Sequence, residues 1–162
     1  AEVCHKSDTV IANINCPGQI VISGAAENVA KAMSMATAAG AGRAILLQVS
    51  GGFHSPLMQP AVEGMIEYLD VIDFKAPSIP VIGNVTALPL GTAEAVKTEL
   101  RQQLISPVQW QRTIEYMVRQ GTSIFIEIGP GKVLTGLIKR INKEVKTTNI
   151  GDLEAVKSFA ST

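Results

Sequence analysis

The sequence has no surplus of charge of either sign and no long hydrophobic run. Its 162 residues include 14 Lys and Arg and 14 Asp and Glu, so it lacks the excess of basic residues that a broad nucleic-acid-binding face requires. No apolar run approaches the roughly 20 residues that a membrane-spanning helix needs. We therefore expect neither nucleic acid nor membrane as a partner, and we expect a cytoplasmic protein.

Cysteine and histidine, the usual ligands of structural zinc, are also scarce. The chain has two cysteines, Cys4 and Cys16, and two histidines, His5 and His54. The spacing of Cys4, His5 and Cys16 fits none of the usual zinc-binding patterns. A chain in which 46% of the residues are hydrophobic can build a core without a disulfide. We therefore predict no metal site and two free thiols.

The first 49 residues are predicted to form an incomplete ferredoxin-like α+β small domain. The predicted elements are a strand at Thr9–Asn15, a strand at Gln19–Ser23, a helix at Glu27–Ala39 and a strand at Arg43–Val49. Strand, strand, helix and strand make up most of a βαββαβ unit. The residues before Thr9 resemble the end of an amphipathic helix. We therefore expect a truncated chain that lacks the first strand and most of the first helix of this unit.

From residue 50 to residue 162, helices alternate with apolar strands, which predicts part of an α/β domain with a parallel sheet. The predicted helices run from Pro56 or Pro60 to Leu69, from Ala93 (capped by Thr92) to Leu104, from Pro107 to Gly121, over Val133–Ile141, and onward from Asp152. The predicted strands are Ile79–Val85, Ser123–Ile128 and Lys146–Ile150. The continuous apolar character of Ser123–Ile128 predicts a strand that is buried on both faces.

His54 is the strongest candidate for a catalytic residue. It follows Gly51 and Gly52 in a turn between a predicted strand and a predicted helix, where α/β sheets present reactive groups. The alternative is a histidine that only satisfies backbone groups at the start of the helix. A catalytic base needs a nucleophile, but the sequence has no Gly-x-Ser-x-Gly motif, and Ser55 is a poor partner because it is adjacent along the chain. A nucleophile for His54 is therefore expected outside this chain.

Two other motifs invite a functional reading. Gly129–Lys132 precedes a predicted helix, whose N-terminus could bind a phosphate. The next glycine, Gly136, fits neither a Walker loop nor a dinucleotide-binding fingerprint, so a tight turn is the better interpretation. Asn13 and Asn15 lie two residues apart on a strand and are predicted to emerge from one face. They could bond neighbouring backbone or line a cleft.

Five motifs, in order, resemble those of malonyl-CoA:acyl-carrier-protein transacylases of the acyltransferase family. They are Asn13–Gly24, Val49–Met58, Pro80–Val85, Ser106–Trp110 and Glu127–Leu134. The resemblance spans nearly all of this chain but only the later half of the family's domain. It implies an α/β-hydrolase-like large domain with a parallel sheet, an inserted ferredoxin-like small domain, and an active site in the cleft between them.

The resemblance also implies the chemistry. His54 matches the general base that activates a serine, and Gln103 matches the residue whose main-chain carbonyl orients the histidine in place of a triad aspartate. The expected substrate-binding residues are Phe53, Asn13, Asn15 and Asn84. The implied reaction moves malonyl from malonyl-CoA to the phosphopantetheine thiol of acyl carrier protein, in fatty-acid or polyketide biosynthesis, without a metal or other cofactor.

Three parts of the family's site are missing from this sequence. The Gly-His-Ser-x-Gly elbow, the arginine that pairs with the malonyl carboxylate and the glutamine of the oxyanion hole belong to the earlier half of the domain. We therefore expect a fragment that is inactive alone and that has the missing amino-terminal half as a partner. The alternative is a non-catalytic remnant that binds acyl carrier protein or a partner chain.

Overall fold

Two small sheets and the helices around them make up the structure, a computed structural model that describes residues 1–160. The helices are α1 (Glu2–Ser7), α2 (Ala26–Ala38), α3 (Gln59–Val71), α4 (Ala93–Gln103), α5 (Trp110–Arg119), α6 (Val133–Ile141) and α7 (Leu153–Ala160). The strands are β1 (Val10–Cys16), β2 (Gln19–Ser23), β3 (Ile124–Ile128) and β4 (Lys146–Ile150), and a 3-10 turn, Pro56–Met58, leads into α3. Within residues 1–160, no helix combines the length and the apolar character needed to cross a membrane.

β1 and β2 form the predicted antiparallel hairpin. Gly18 in the connecting turn has φ 76°, a conformation that glycine adopts without steric strain. β1 also reaches the later part of the chain, because Asn13 forms a parallel bridge with Val108. From α6, Arg140 donates to the side chain of Gln19 at 2.6 Å. The hairpin is therefore attached to the rest of the molecule at both its strand and its turn.

The main core lies between α5, β3 and α6. Ile114 of α5, Phe125 of β3 and Ile138 of α6 are buried together. The partly buried apolar side chains packed against them are Trp110, Met117, Val118, Ile141 and Val145. Because α5 and α6 also contact β1, this core fixes the hairpin relative to the segment that precedes α5.

β3 is less buried than predicted. It pairs in parallel with β4, from Ile124 opposite Lys146 to Ile128 opposite Ile150. Phe125 is buried, but Ile124 is 58% exposed and Ile128 is 82% exposed. The prediction of a strand buried on both faces is wrong for residues 1–160. The face that carries Phe125 packs against α5 and α6, whereas the face that carries Ile124, Ile126 and Ile128 is exposed.

The predicted strand Arg43–Val49 is not formed. Residues 43–49 are irregular, and the side chains of Ile45, Leu46 and Val49 are exposed. A strand is stable when its backbone groups pair with a neighbour, and within residues 1–160 this segment has no ladder partner. The part predicted to be ferredoxin-like therefore has its hairpin and α2 but lacks this strand.

The predicted strand Ile79–Val85 is also wrong. The segment belongs to a loop that closes through an isolated antiparallel bridge between Ile82 and Pro89. The N–H of Val85 donates to the Glu99 carboxylate in α4 at 2.7 Å and is therefore not free to join a ladder. Local β propensity is overridden here by a contact with a distant helix.

α5 begins later than predicted. Pro107 does not open the helix, which starts at Trp110 with Gln109 as its N-cap residue. The intervening Val108 pairs with the hairpin, since its N–H donates to the carbonyl of Ala12 at 2.8 Å. Residues 107–109 therefore form a non-helical link between α4 and α5.

The remaining predicted elements form close to their predicted bounds. The hydroxyl of Thr92 caps α4 by accepting from the N–H of Ala95 at 3.1 Å. Gly121 follows α5 with φ 93°, which suits a glycine just beyond a helix end. The residues before β1 are helical, as their amphipathic pattern predicts.

Candidate active site

A tight turn fixes His54 directly before the 3-10 turn that leads into α3. His54 has φ 58°, a left-handed conformation that is uncommon outside glycine but is enriched in histidine. Gly52 is needed beside it, since a Cβ there would lie 2.9 Å from Cδ1 of Leu57 and 3.2 Å from Oγ of Ser55. The glycine-rich sequence therefore allows the close packing that holds His54.

Ser55 stabilises the same turn. It is buried, and its hydroxyl donates to the carbonyl of Gly52 at 2.5 Å and accepts from the N–H of Leu57 at 3.3 Å. Both hydrogen bonds stay within the turn. Ser55 is therefore engaged as a cap of the 3-10 turn, consistent with the expectation that it is not the partner of His54.

His54 and Gln103 are in direct contact. Nδ1 of His54 lies 2.8 Å from the carbonyl oxygen of Gln103. Because a carbonyl oxygen can only accept, Nδ1 carries the proton and Nε2 of the neutral ring keeps a lone pair. An imidazole held in this tautomer can accept a proton at Nε2, as a general base must.

The contact joins the start of α3 to the end of α4, so the packing of these two helices sets its length. Arg101 of α4 donates to Asp70 of α3 at 2.5 Å. The ammonium group of Lys97 lies 5.6 Å from the centroid of the Phe74 ring, just beyond the end of α3. Both pairs link α4 to the C-terminal end of α3 and to the residues just beyond it.

Glu99, which is not among the residues predicted from the sequence, links α4 to the loop that precedes it. It is 6% exposed, and its carboxylate accepts from the N–H of Val85 at 2.7 Å and the hydroxyl of Thr86 at 3.4 Å. Gly83 makes room for it, since a Cβ there would lie 2.4 Å from Oε2 of Glu99. No pattern in the sequence marks this role, because the partners of Glu99 lie 14 and 13 residues away in a loop.

Two predicted substrate-binding residues are connected to the segment that follows Gln103. Asn13 forms its parallel bridge with Val108, and the carbonyl of Asn84 accepts from the N–H of Gln109 at 2.7 Å. These contacts are made by the backbone. The residues that follow Gln103 thus fix the main chain at Asn13 and at Asn84, two of the predicted substrate-binding positions.

Asn15 lies in β1 beside a shift of register between positions 14 and 16. Such a bulge interrupts the alternation of side chains along a strand. The expectation that Asn13 and Asn15 share one face rests on that alternation, so it stays a prediction.

Phe53 immediately precedes His54 and is 43% exposed. Its ring lies over Gly51, because a Cβ on that glycine would be 3.4 Å from Cε2 of the ring. Phe53 is therefore at the surface of this chain, next to the histidine, and does not fill the core behind the turn.

The turn Gly129–Lys132 is completed by a side chain that occupies the start of α6. The carboxylate of Glu127 accepts from the N–H of Leu134 at 3.0 Å and of Thr135 at 2.8 Å. The nearby hydroxyl and the N–H of Thr135, together with the N–H of Leu134, lower the pKa of Glu127 below its ordinary value of 4.5. The carboxylate thus takes the place where a phosphate would bind a helix N-terminus, which agrees with the interpretation as a tight turn.

Cys4 and Cys16 are free and buried, and Sγ of Cys16 lies 3.7 Å from Oε1 of Gln19. Among residues 1–160, no group of three or more His, Cys, Asp or Glu side chains is placed to hold a metal ion. The candidate site therefore consists of the histidine, its carbonyl acceptor and the backbone segment around them.

Comparison with known proteins identifies the family. The acyl transferase domain family matches residues 2–157, a range that includes the His54 turn, α4 and the turn before α6. The chain belongs to the acyl transferase family. The family predicted from the five sequence motifs is thereby confirmed.

This acyl transferase chain is similar to the malonyl CoA-acyl carrier protein transacylase of Bacillus subtilis (strain 168), with 48% identity over 147 residues that cover 91% of this chain and 46% of the relative. The solved acyl-carrier-protein S-malonyltransferase of Bartonella henselae is 42% identical with a TM-score of 0.92, covering 99% of this chain and 52% of that one. A malonyl-transacylase in complex with its type II PKS acyl-carrier protein is 38% identical with a TM-score of 0.92, again covering 99% and 52%. The chain spans about half the length of these relatives.

The predicted α/β fold class of the acyl transferase chain is confirmed by these structures. That the parallel pair of β3 and β4 belongs to a hydrolase-like large domain, and the β1–β2 hairpin with α2 to a ferredoxin-like small domain, stays a prediction. The division into residues 1–49 and 50–162 stays a prediction.

Proposed function

We propose that this chain supplies the general base of an acyl-carrier-protein S-malonyltransferase. The enzyme moves malonyl from malonyl-CoA to the phosphopantetheine thiol of acyl carrier protein, in fatty-acid or polyketide biosynthesis. The observation that carries the proposal is the 2.8 Å contact between Nδ1 of His54 and the carbonyl of Gln103. The choice of malonyl and of the carrier protein is supported by the similarity to malonyl transacylases.

In the first half-reaction, His54 acts on a serine that another part of the enzyme supplies. Nε2 takes the proton of the serine hydroxyl as its oxygen attacks the thioester carbonyl of malonyl-CoA. The C–S bond then breaks, and the imidazolium returns the proton to the sulfur of CoA, which leaves malonyl-serine and free CoA. The Gln103 carbonyl keeps the other proton on Nδ1 throughout.

The second half-reaction uses the same groups in reverse. Nε2 takes the proton of the phosphopantetheine thiol, the sulfur attacks malonyl-serine, and the proton passes to the departing serine oxygen. Because a carbonyl carries no full charge, Gln103 fixes the tautomer of His54 while stabilising its imidazolium less than a triad aspartate would.

The substrate-binding residues belong to the same proposal. Phe53 restricts the space beside the acyl α-carbon, and Asn13, Asn15 and Asn84 line the substrate cleft. The proton transfers balance at His54 and all bonds change in electron pairs, so the proposed chemistry requires no metal or other cofactor. A cytoplasmic location is part of the proposal.

The test restores a serine-bearing segment. This chain is joined to the part of the Bacillus subtilis relative that it does not match, and the product is called the joined enzyme. Transfer of malonyl from malonyl-CoA to holo-acyl carrier protein is followed by the mass of the carrier protein. We expect turnover by the joined enzyme and none by the 162-residue chain alone.

The matched control uses the second histidine. His54→Ala in the joined enzyme should reduce turnover at least about 100-fold, since a positioned acid–base group contributes roughly 10²–10⁴-fold. His5→Ala changes an exposed histidine of α1 and should leave turnover unchanged. Turnover that survives His54→Ala, or turnover by the unjoined chain, contradicts the proposal.

A second candidate is a non-catalytic chain that binds acyl carrier protein or a partner chain. The exposed apolar side chains near the β3 end favour it, since Ile128 is 82% and Val133 is 70% exposed. Isothermal titration of the chain with holo-acyl carrier protein separates the two candidates. Binding by the chain, combined with a joined enzyme that shows no turnover, supports the non-catalytic function.

A further inference from the structure

The carbonyl of Gln103 lies at the position where the helical hydrogen bonds of α4 stop. The N–H groups of Ile105 and Ser106 both donate to the carbonyl of Gln102, at 3.1 Å and 3.0 Å. The bond from Ser106 spans four residues, so it still follows the α-helical pattern. The next bond of this series would run from residue 107 to the carbonyl of Gln103, but residue 107 is Pro107, which has no N–H.

The chain then leaves α4 instead of folding back over its end. The N–H of Val108 donates to the carbonyl of Ala12 at 2.8 Å, and the carbonyl of Val108 accepts from the N–H of Ile14 at 2.9 Å. Both backbone groups of Val108 are therefore occupied by β1. The carbonyl of Gln103 is left to the ring of His54, whose Nδ1 lies 2.8 Å away.

We propose that Pro107 is a positioning residue for the base. Because Pro107 has no backbone N–H, the Gln103 carbonyl is left to accept from Nδ1–H of His54. The proton of the neutral ring therefore stays on Nδ1, and the lone pair stays on Nε2. Its identity matters because proline is the one standard residue without a backbone N–H in a folded chain. The value of this arrangement for catalysis rests on the proposed function, whereas the hydrogen-bond competition itself does not.

Replacement of Pro107 by alanine restores the missing donor. The N–H of residue 107 can then continue the helical series and bond to the carbonyl of Gln103. A carbonyl oxygen can accept two donors, as that of Gln102 does, but each of two bonds to one oxygen is weaker than a single bond. The Nδ1–H tautomer of His54 therefore loses part of its stabilisation. We therefore expect Pro107→Ala to shift the neutral ring of His54 toward the Nε2–H tautomer.

The measurement is the ¹⁵N NMR spectrum of the joined enzyme, in which only the part supplied by this chain carries ¹⁵N-histidine after ligation to the unlabelled Bacillus subtilis part; the shifts of the ring nitrogens distinguish the two neutral tautomers. The chain has two histidines, so His5 in α1 serves as an internal reference that the substitution should leave unchanged. Pro130→Ala, in the exposed turn before α6, is the matched control for loss of a proline. It should leave both histidines as they are.

A second variant distinguishes the effect of the missing backbone N–H from the effect of the proline ring. Lactate is introduced at position 107 by in vitro translation, so that an ester oxygen replaces the backbone N–H and no ring is present. This variant should keep the Nδ1–H tautomer of His54, although it lacks the ring of Pro107. It also keeps the proposal testable if Pro107→Ala fails to fold.

The tautomer of His54 in the two variants decides the proposal. A tautomer shift in Pro107→Ala, with an unchanged ring in the lactate variant, supports the proposal. An unchanged tautomer in Pro107→Ala overturns it, and so does an equal shift in both variants, which would assign the effect to the ring. If Pro107→Ala does not fold, retention of the tautomer by the lactate variant supports the proposal and its loss overturns it.

The joined enzyme adds a kinetic readout. We expect Pro107→Ala to lower kcat by roughly threefold to tenfold with KM for malonyl-CoA unchanged, because a neutral hydrogen bond has a modest net strength. The tautomer is read without turnover, so failure of the proposed malonyl transfer would leave the NMR result interpretable. An NMR shift without any change in kcat would overturn the catalytic part of the proposal.

Discussion

At the scale of single residues, His54 sits in a conformation that its neighbours must maintain. A non-glycine residue with positive φ costs about 1–3 kcal/mol, and His54 has φ 58°. The turn is held by the Ser55 hydroxyl, which bonds to Gly52 and Leu57, and the ring is held by the Gln103 carbonyl. Strained residues that the surrounding structure holds in place are common at active sites, which supports the role proposed for His54.

Phe53 gives the first prediction, on substrate choice. A benzyl group beside the base would collide with an α-methyl group on the acyl chain, and overpacking costs about 1–3 kcal/mol, which is roughly tenfold in rate for each 1.36 kcal/mol. We expect Phe53→Ser in the joined enzyme to raise kcat/KM for methylmalonyl-CoA about tenfold relative to malonyl-CoA. Because Phe53 is 43% exposed, the substitution should leave the fold intact.

The control for Phe53→Ser is Phe159→Ser, which removes a similarly exposed ring from α7. It should leave the ratio of the two substrates unchanged. An unchanged ratio in Phe53→Ser, accompanied by a lower midpoint of unfolding, would assign Phe53 to packing alone.

At the scale of elements, α4 carries both the acceptor for His54 and the buried carboxylate of Glu99. Glu99→Ala leaves the partly buried N–H of Val85 without its acceptor, and an unsatisfied donor costs about 1–3 kcal/mol when it is fully buried. We expect the free energy of unfolding of the joined enzyme in urea to fall by about 1 kcal/mol, the lower end of that range. Glu67→Ala, at an exposed position of α3, is the control and should lower the free energy of unfolding by less. An equal loss of stability in the two variants would show that the bond from Val85 to Glu99 does not stabilise the fold.

α6 gives a prediction about pH. Hydrogen bonds from Thr135 and Leu134 lower the pKa of Glu127 in the folded chain below 4.5, so its charged form stabilises the fold at neutral pH. This contribution is complete above the pKa of the unfolded chain and is lost as the pH falls through the lower folded pKa. Glu127→Gln should therefore be less stable than the parent protein at pH 7, and the difference should shrink below about pH 4.5.

Thermal unfolding of the joined enzyme, with and without Glu127→Gln, from pH 7 to pH 3 measures this difference. Glu154→Gln, in the exposed first turn of α7, is the control for loss of a carboxylate near a helix start. A gap between Glu127→Gln and the parent that stays constant over the whole range would show that the charge of Glu127 does not contribute.

The elements that the sequence predicts well are those set by local signals. The hairpin turn follows from Pro17 and Gly18, and the start of α4 follows from Thr92, because each residue acts on its own neighbours. The strands predicted at Arg43–Val49 and Ile79–Val85 fail because a strand depends on a partner that local propensity does not supply.

The residues of the candidate site also differ in how far the sequence marks them. His54 stands out in the sequence because of the glycines before it, whereas Gln103 was found through the family resemblance and not through its spacing from His54. Glu99 was missed because its main partner, the N–H of Val85, lies 14 residues away in a loop. Contacts between a side chain and a distant backbone group leave no periodic signal in the sequence.

At the scale of the whole molecule, the chain exposes more surface than a compact monomer of its size. Its accessible area is 10564 Å², whereas a monomer of 17.1 kDa is expected to expose about 7,700 Å². The difference of roughly 2,800 Å² is comparable to an obligate interface. Exposed apolar side chains lie on β3, on α7 and in residues 45–49, so this surface favours association.

We therefore expect the chain alone to self-associate or to unfold without a sharp transition. Sedimentation velocity over a range of concentrations, together with urea unfolding, measures both properties. The joined enzyme is the control and should sediment as a compact species with a cooperative transition. A compact monomer with cooperative unfolding for the chain alone would contradict this reading of its surface.

The central claim is that His54 activates a serine outside this chain, and the most direct test is to locate the malonyl group. The joined enzyme is mixed with malonyl-CoA in the absence of carrier protein, quenched and mapped by peptide mass spectrometry. We predict malonyl on a serine of the Bacillus subtilis part, formed at least about 100-fold more slowly in His54→Ala. Malonyl on Ser50 or Ser55, or an unchanged rate in His54→Ala, would contradict the account.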